Sequence, residues 1–211
     1  MRAHLMRLLA AGLFGVSLAS AAAPQSALPV HEDARVSICY NYGCNREVEI
    51  RYHRASLNRL AARLALASSA EDERTRLAQE IGRMYRIAAT QSPVAADRAG
   101  NFLDGGEAGR MDCIDHSTST MRLLELLEAR GWLRFHRVVE PARRTRFIFQ
   151  HFSAVIEERA EGEGIEGGAD ALSSAPPAQR YVVDSWFVDN GEPAVVLPLA
   201  EWLNGGGPDV Q

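Results

Sequence analysis

From Ser56 the apolar residues Leu57, Leu60, Ala61 and Leu64 recur at helical spacing and predict an amphipathic helix. A second helix is predicted from Ser69, where "SAED" has the form of a capping box. Its inner face carries Leu77, Ile81, Met84 and Ile87, and it ends before Pro93. A third is predicted in "STSTMRLLELLEARG", with Gly131 in the position of a C-terminal cap. Between the second and third helices, Val94 to Arg110 is rich in glycine and small residues and reads as an irregular loop. Strand patterns occupy the rest. "VSICYNYGCNREVEIRY" predicts short extended segments before the helices; "RFHRVVE", "RFIFQHFSAVIEE", "RYVVDSWFVD" and "PAVVLPL" predict strands after them, followed by a short "AEWLNG" helix or turn. Residues 160 to 179 show no apolar periodicity and read as a solvated connection that tolerates shortening. Helices followed by an antiparallel sheet define an α+β class.

Residues 1 to 21 read differently. Two arginines precede the 12-residue apolar run "LLAAGLFGVSLA", which leads to the small-x-small "ASA". That is the order of a cleavable secretory signal, and the run is too short to span a bilayer. The mature chain, 22 to 211, is then expected to be a single domain in the periplasm or secreted, with no membrane insertion after cleavage. Within it, 22 to 99 forms an N-terminal helical part and 100 to 204 a core. Signal removal takes two arginines and no acid, so the formal charge of −4 becomes −6. A mildly acidic chain is a poor partner for nucleic acid. Every basic residue among the 23 is arginine; codon bias accounts for this, and an acyl-transfer enzyme without lysine would also be spared acylating itself.

Export makes the three cysteines informative. Cys39 and Cys44 bracket "YNYG", whose Asn41 and Gly43 suit a tight turn, so these two are expected to pair. Cys113 is then left over, between the acids of "RMDCIDHS". A buried inert thiol is the plain alternative, but two flanking carboxylates argue against an apolar surrounding. With Asp112 as N-cap and Asp115 closing a capping box, Cys113 becomes the first helical residue. Unpaired N–H groups and the helix dipole there favour thiolate and could hold an oxyanion.

A nucleophilic thiol needs a base and a group to orient it. His31 and His53 are expected to be solvated, and His136 to be half-exposed on a strand. His116 shares the helical face of Cys113 and is one candidate base. His151, on a strand facing the helix start, is the better one, because a neighbouring strand can orient its ring. Asp184, in the otherwise apolar "YVVDSWF", is the expected orienter, with Trp186 shielding the pair from water. Asn101 is a candidate oxyanion donor.

A cysteine at a helix start, then a strand histidine, then a strand aspartate resembles the transglutaminase-like group of papain-fold thiol enzymes. "DCIDHSTSTMRLLELLEARGW" in particular resembles the cysteine helix of bacterial transglutaminase-like cysteine proteinases. The resemblance covers roughly residues 100 to 204. It implies a papain/transglutaminase-like core with Cys113 as nucleophile, His151 as base and Asp184 as orienter, acting on amide bonds of a protein or cell-wall peptide as protease, amidase or acyl transferase. No cofactor and no metal are called for. A non-catalytic envelope binding domain of the same fold is the alternative. A third reading makes Cys113, His116 and His151 zinc ligands, although "CIDH" is too short for the usual paired motifs. "RRTR" (Arg143 to Arg146) is expected to form a solvated turn.

Overall fold

A computed structural model describes residues 31–100, 102, 104, 106–160 and 178–208. Strands β1 (Ala34–Tyr40) and β2 (Arg46–Tyr52) form an antiparallel hairpin, in register from Ala34 opposite Tyr52 to Tyr40 opposite Arg46. Helices α1 (Arg54–Leu64), α2 (Ala70–Ala89) and α3 (Cys113–Ala129) follow, with a 3-10 turn at Pro93–Ala96. The chain then lays down β3 (His136–Arg146), β4 (Phe149–Glu158), β5 (Arg180–Asp184) and β6 (Val195–Pro198) as an antiparallel meander, and ends in α4 (Leu199–Leu203). The class is α+β. No helix among the described residues is long and apolar enough to cross a membrane. The signal-like segment and the connection at 161 to 177 lie outside the described residues.

Apolar periodicity places the core. Leu57, Leu60, Ala61 and Leu64 of α1 are buried, as are Leu77, Ile81 and Met84 of α2, while Ile87 is only partly so. These side chains join Val36, Ile38, Ile50 and Tyr52 from the hairpin and Leu123, Leu124 and Leu127 from α3 in one cluster. α3 packs against both sheets, so its N-terminus is fixed from two sides. Ser69 caps α2, accepting a hydrogen bond from the Asp72 N–H at 3.1 Å. Gly131 ends α3 at φ 67°, in the left-handed region a helix C-terminus uses.

Two strands depart from the sequence reading. β3 continues past Glu140 through Pro141 to Arg146, because β3 is an edge strand and its register shifts between Val139 and Ala142. A proline at such a shift costs no ladder bond. "RRTR" is therefore strand rather than turn. β5 stops at Asp184 instead of running to Asp189. The Asp184 carboxylate accepts the Trp186 N–H two residues on, at 3.2 Å, and this local bond bends the chain out of the ladder.

Candidate active site

The cap of α3 sets the first part of the site. Asp112 accepts from the Ile114 and Asp115 N–H groups, and Asp115 accepts from the Asp112 N–H, completing the capping box. Cys113 is the first helical residue, and the cap engages N–H groups other than its own. Its thiol is free, since Cys39 and Cys44 form the disulfide.

The sheet supplies the second part. β5 pairs with β4 over Ala154 to Glu157, so Gln150 to Phe152 extend past it. There the Cys113 thiol meets β4: it lies 3.8 Å from the Gln150 carbonyl oxygen and receives a hydrogen bond from the Phe152 N–H. The sulfur thus rests against the backbone on either side of His151. The His151 ring turns its Nε2 to the Asp184 Oδ2 at 2.7 Å. Asp184 also accepts from Trp202 Nε1 at 2.9 Å. Trp186, Phe187 and Trp202 surround the imidazole, with ring centroids 4.7, 5.3 and 5.4 Å away. Asp184, the two tryptophans and Phe187 are buried, and His151 nearly so.

The thiol's titration runs against the sequence expectation. Burial pushes Cys113 up to about 11, and the Asp112 and Asp184 charges push the same way, against the Phe152 N–H. Helix-terminal N–H groups do not outweigh this desolvation. The resting group is a thiol, so any nucleophilic role requires a base within reach.

The other histidines among the described residues are accounted for. His116 is buried with both nitrogens engaged: Nδ1 meets Ser185 Oγ at 2.8 Å and Nε2 meets Asp97 Oδ2 at 3.0 Å. Ser185 Oγ continues to Thr120 Oγ1 at 2.9 Å, and that hydroxyl to Tyr85 Oη at 3.1 Å. His116 is thus a tie between α3 and the residue after Asp184. His136 is fully buried rather than half-exposed, with Nδ1 2.8 Å from Glu73 Oε1. Glu73 also accepts the Arg134 and Phe135 N–H groups, which anchors the entry to β3. His31 and His53 are exposed, His53 with Nδ1 3.2 Å from Asp33 Oδ2.

The zinc reading does not fit, because both ring nitrogens of His116 are engaged and Cys113, His116 and His151 do not bring their ligating atoms together. Among the described residues, the group of ligating side chains close enough for a metal is Cys39, Cys44 and Glu47, whose sulfurs are in the disulfide. Asn101 lies outside the described residues. Sequence reasoning missed Trp202 and Arg144. A buried indole N–H needs an acceptor and a buried aspartate needs donors, so pairing Trp202 with Asp184 was the available signal. Arg144, directly across from His151 in the β3–β4 register, stacks its guanidinium 4.6 Å from the centre of the Trp202 ring. It donates to the Trp202 and Gly206 carbonyls at 2.6 and 2.8 Å. Comparison with protein-family models, curated proteins and solved structures finds no match.

Proposed function

We propose that the chain is a thiol enzyme that attacks amide carbonyls, with Cys113 as nucleophile, His151 as base and Asp184 as orienter, on a papain/transglutaminase-like core. The observation that carries this is the His151–Asp184 pair, enclosed by Trp186, Phe187 and Trp202 on the strand against which Cys113 rests. Asp184 takes Nε2, which leaves Nδ1 as the nitrogen to serve the thiol. With the Nε2 hydrogen donated to a carboxylate, the Nδ1 lone pair can take the thiol proton as the S–C bond forms, and imidazolium is stabilised by Asp184. The same proton then goes to the departing amine, and water or a second amine resolves the thioester. The Cys113 N–H is the backbone donor suited to the oxyanion. The disulfide supports an oxidising compartment, periplasmic or extracellular, and on this reading the substrate is a protein or cell-wall peptide.

The raised thiol favours one other reading, a binding domain of the same fold in which Cys113 is inert. Alkylation decides between them. Iodoacetamide should modify Cys113 near pH 7.5 in the wild type, and His151→Ala should slow this by about 100-fold. His151→Ala should react appreciably only as pH climbs toward about 11, where the unaided thiol ionises. Asp184→Asn should fall between, since an amide orients the ring without stabilising its cation. Equal rates in wild type and His151→Ala would leave only the binding-domain reading.

A further inference from the structure

Large apolar side chains stand exposed around the Cys113 end of the sheet. The β3–β4 turn carries Phe147, Ile148 and Phe149 at 97, 87 and 65 % exposure, and Phe102, from the loop before α3, is 58 % exposed. These residues lead into the site. Phe149 and Phe102 have ring centroids 6.3 Å apart, Phe102 lies edge-on to Trp186 at 4.8 Å, and Trp186 is 4.7 Å from His151. Ile114, the residue after Cys113, is exposed as well.

Folding does not explain this composition. Phe147 has φ 56°, a left-handed conformation that asparagine or glycine adopts more readily, in a turn where polar residues are the norm. An exposed apolar patch of this kind marks a binding surface. Two charges beside the row are already partnered, Asp184 with His151 and Trp202, and Arg144 with the Trp202 and Gly206 carbonyls; Arg146 stands across from Phe149 in the β3–β4 register, at the edge of the row. The row itself offers a ligand aromatic and aliphatic surface.

We infer that the row Phe149–Phe102–Trp186 receives a bulky apolar side chain next to the carbonyl that Cys113 attacks, so that the substrate is a polypeptide carrying an aromatic or branched aliphatic residue beside the scissile amide. This rests on the thiol-enzyme reading. Continuity of the row with His151 commits it to substrate rather than to a bilayer or a second protein.

Two chloromethyl ketones, N-acetyl-phenylalanyl and N-acetyl-glycyl, test it alongside iodoacetamide. Each forms an S–C bond to Cys113, with chloride (or iodide) leaving and the thiol proton lost. Rates are normalised to each reagent's rate with free glutathione. The phenylalanyl reagent should label Cys113 at least about ten-fold faster than the glycyl one. Phe102→Ala/Phe149→Ser should reduce that preference to within about two-fold, and Phe149→Leu, which restores apolar bulk, should retain most of it. Labelling by iodoacetamide with no preference between the ketones overturns the inference alone. No labelling by any reagent overturns the thiol-enzyme reading and the inference with it. Sedimentation with phosphatidylglycerol vesicles, lost in Phe147→Ser/Ile148→Ser, with no ketone preference, assigns the patch to a bilayer and also overturns it.

Discussion

Two hairpins meet the start of α3, and they are built in opposite ways. The β1–β2 turn has four consecutive residues at positive φ, Asn41, Tyr42, Gly43 and Cys44, closed by the Cys39–Cys44 disulfide. Its N–H groups converge on the acids of the α3 cap: Tyr42 and Cys44 donate to Asp115 at 2.8 and 2.6 Å, and Gly43 donates to Asp112 at 2.9 Å. Successive N–H groups in this conformation form an anion-binding concavity, and here the anions are the protein's own carboxylates. The β3–β4 turn has one left-handed residue, Phe147, with its ring in solvent. Left-handed backbone in the first turn is compensated by hydrogen bonds, whereas in the second it supports apolar surface that the fold does not use. One hairpin holds the cysteine helix; the other presents a surface beside it.

Breaking the holding side should have the largest effect. Asp115→Ala removes the acceptor for the Tyr42, Cys44 and Asp112 N–H groups in a buried place. Leaving such donors unpaired should cost about 3 kcal/mol or more, read as a lower urea midpoint at pH 5. Asp115→Asn keeps one acceptor oxygen and should lose less. Next comes the disulfide. Cys39→Ala/Cys44→Ala releases a loop of sequence separation 5, worth roughly 2 kcal/mol by loop entropy. A phosphine reductant should lower the wild-type midpoint similarly and leave the double variant unmoved. An unchanged wild-type midpoint would mean the hydrogen bonds alone hold the turn.

The same cluster gives a smaller, pH-dependent effect. Burial, with the Asp112 charge beside it, raises Asp115 from 3.8 to about 6, against the backbone N–H bonds from Asp112, Cys44 and Tyr42. The folded state then binds more protons than the unfolded one between about pH 4 and 6, so this contribution to stability falls as pH rises through that window. Acids held low, such as Asp33 and Glu157, act in the opposite sense and at lower pH. Urea midpoints from pH 4 to 7 should show the downward component in the wild type and not in Asp115→Asn. An identical slope in both would remove Asp115 as its source.

Much of the holding side was legible because it is local. The Asp112–Asp115 box spans three residues, the disulfide spans five, and both carry their signal in adjacent letters. The apolar stripes of α1 and α2 were legible for the same reason. The donors that complete the cap were not, since Cys44 and Asp115 are 71 residues apart and nothing local links them. Strand ends failed where a side chain overrode pattern: Asp184 bends β5 away from an apolar run that reads as strand, and edge position lets β3 pass Pro141. The environment of Cys113 failed for an energetic reason. A helix start favours thiolate, but how deeply strand β4 buries the sulfur is a tertiary fact. His151 and Asp184 could be nominated as adjacent-strand partners, whereas Trp202 and Arg144 reach the same spot from α4 and β3.

The smallest expected effect is also the sharpest comparison of the two turns, because it concerns one substitution made in each. Phe147 and Tyr42 have nearly the same φ, 56° and 64°. For Phe147, glycine removes the left-handed penalty, and the ring it deletes is 97 % exposed. The gain is offset in part by the greater freedom of glycine in the unfolded chain, leaving about 0.5 kcal/mol of added stability. For Tyr42, glycine relieves the same backbone penalty but deletes a hydroxyl that donates to Asp104 Oδ1 at 2.5 Å. Asp104 in turn pairs with Arg110 at 3.0 Å, just before the cap, so its loss loosens the approach to α3. Tyr42→Gly should therefore lower the urea midpoint while Phe147→Gly raises it. Opposite signs would show that left-handed backbone is compensated in one hairpin and left standing in the other. Two shifts of the same sign would remove the distinction between a turn that holds and a turn that presents.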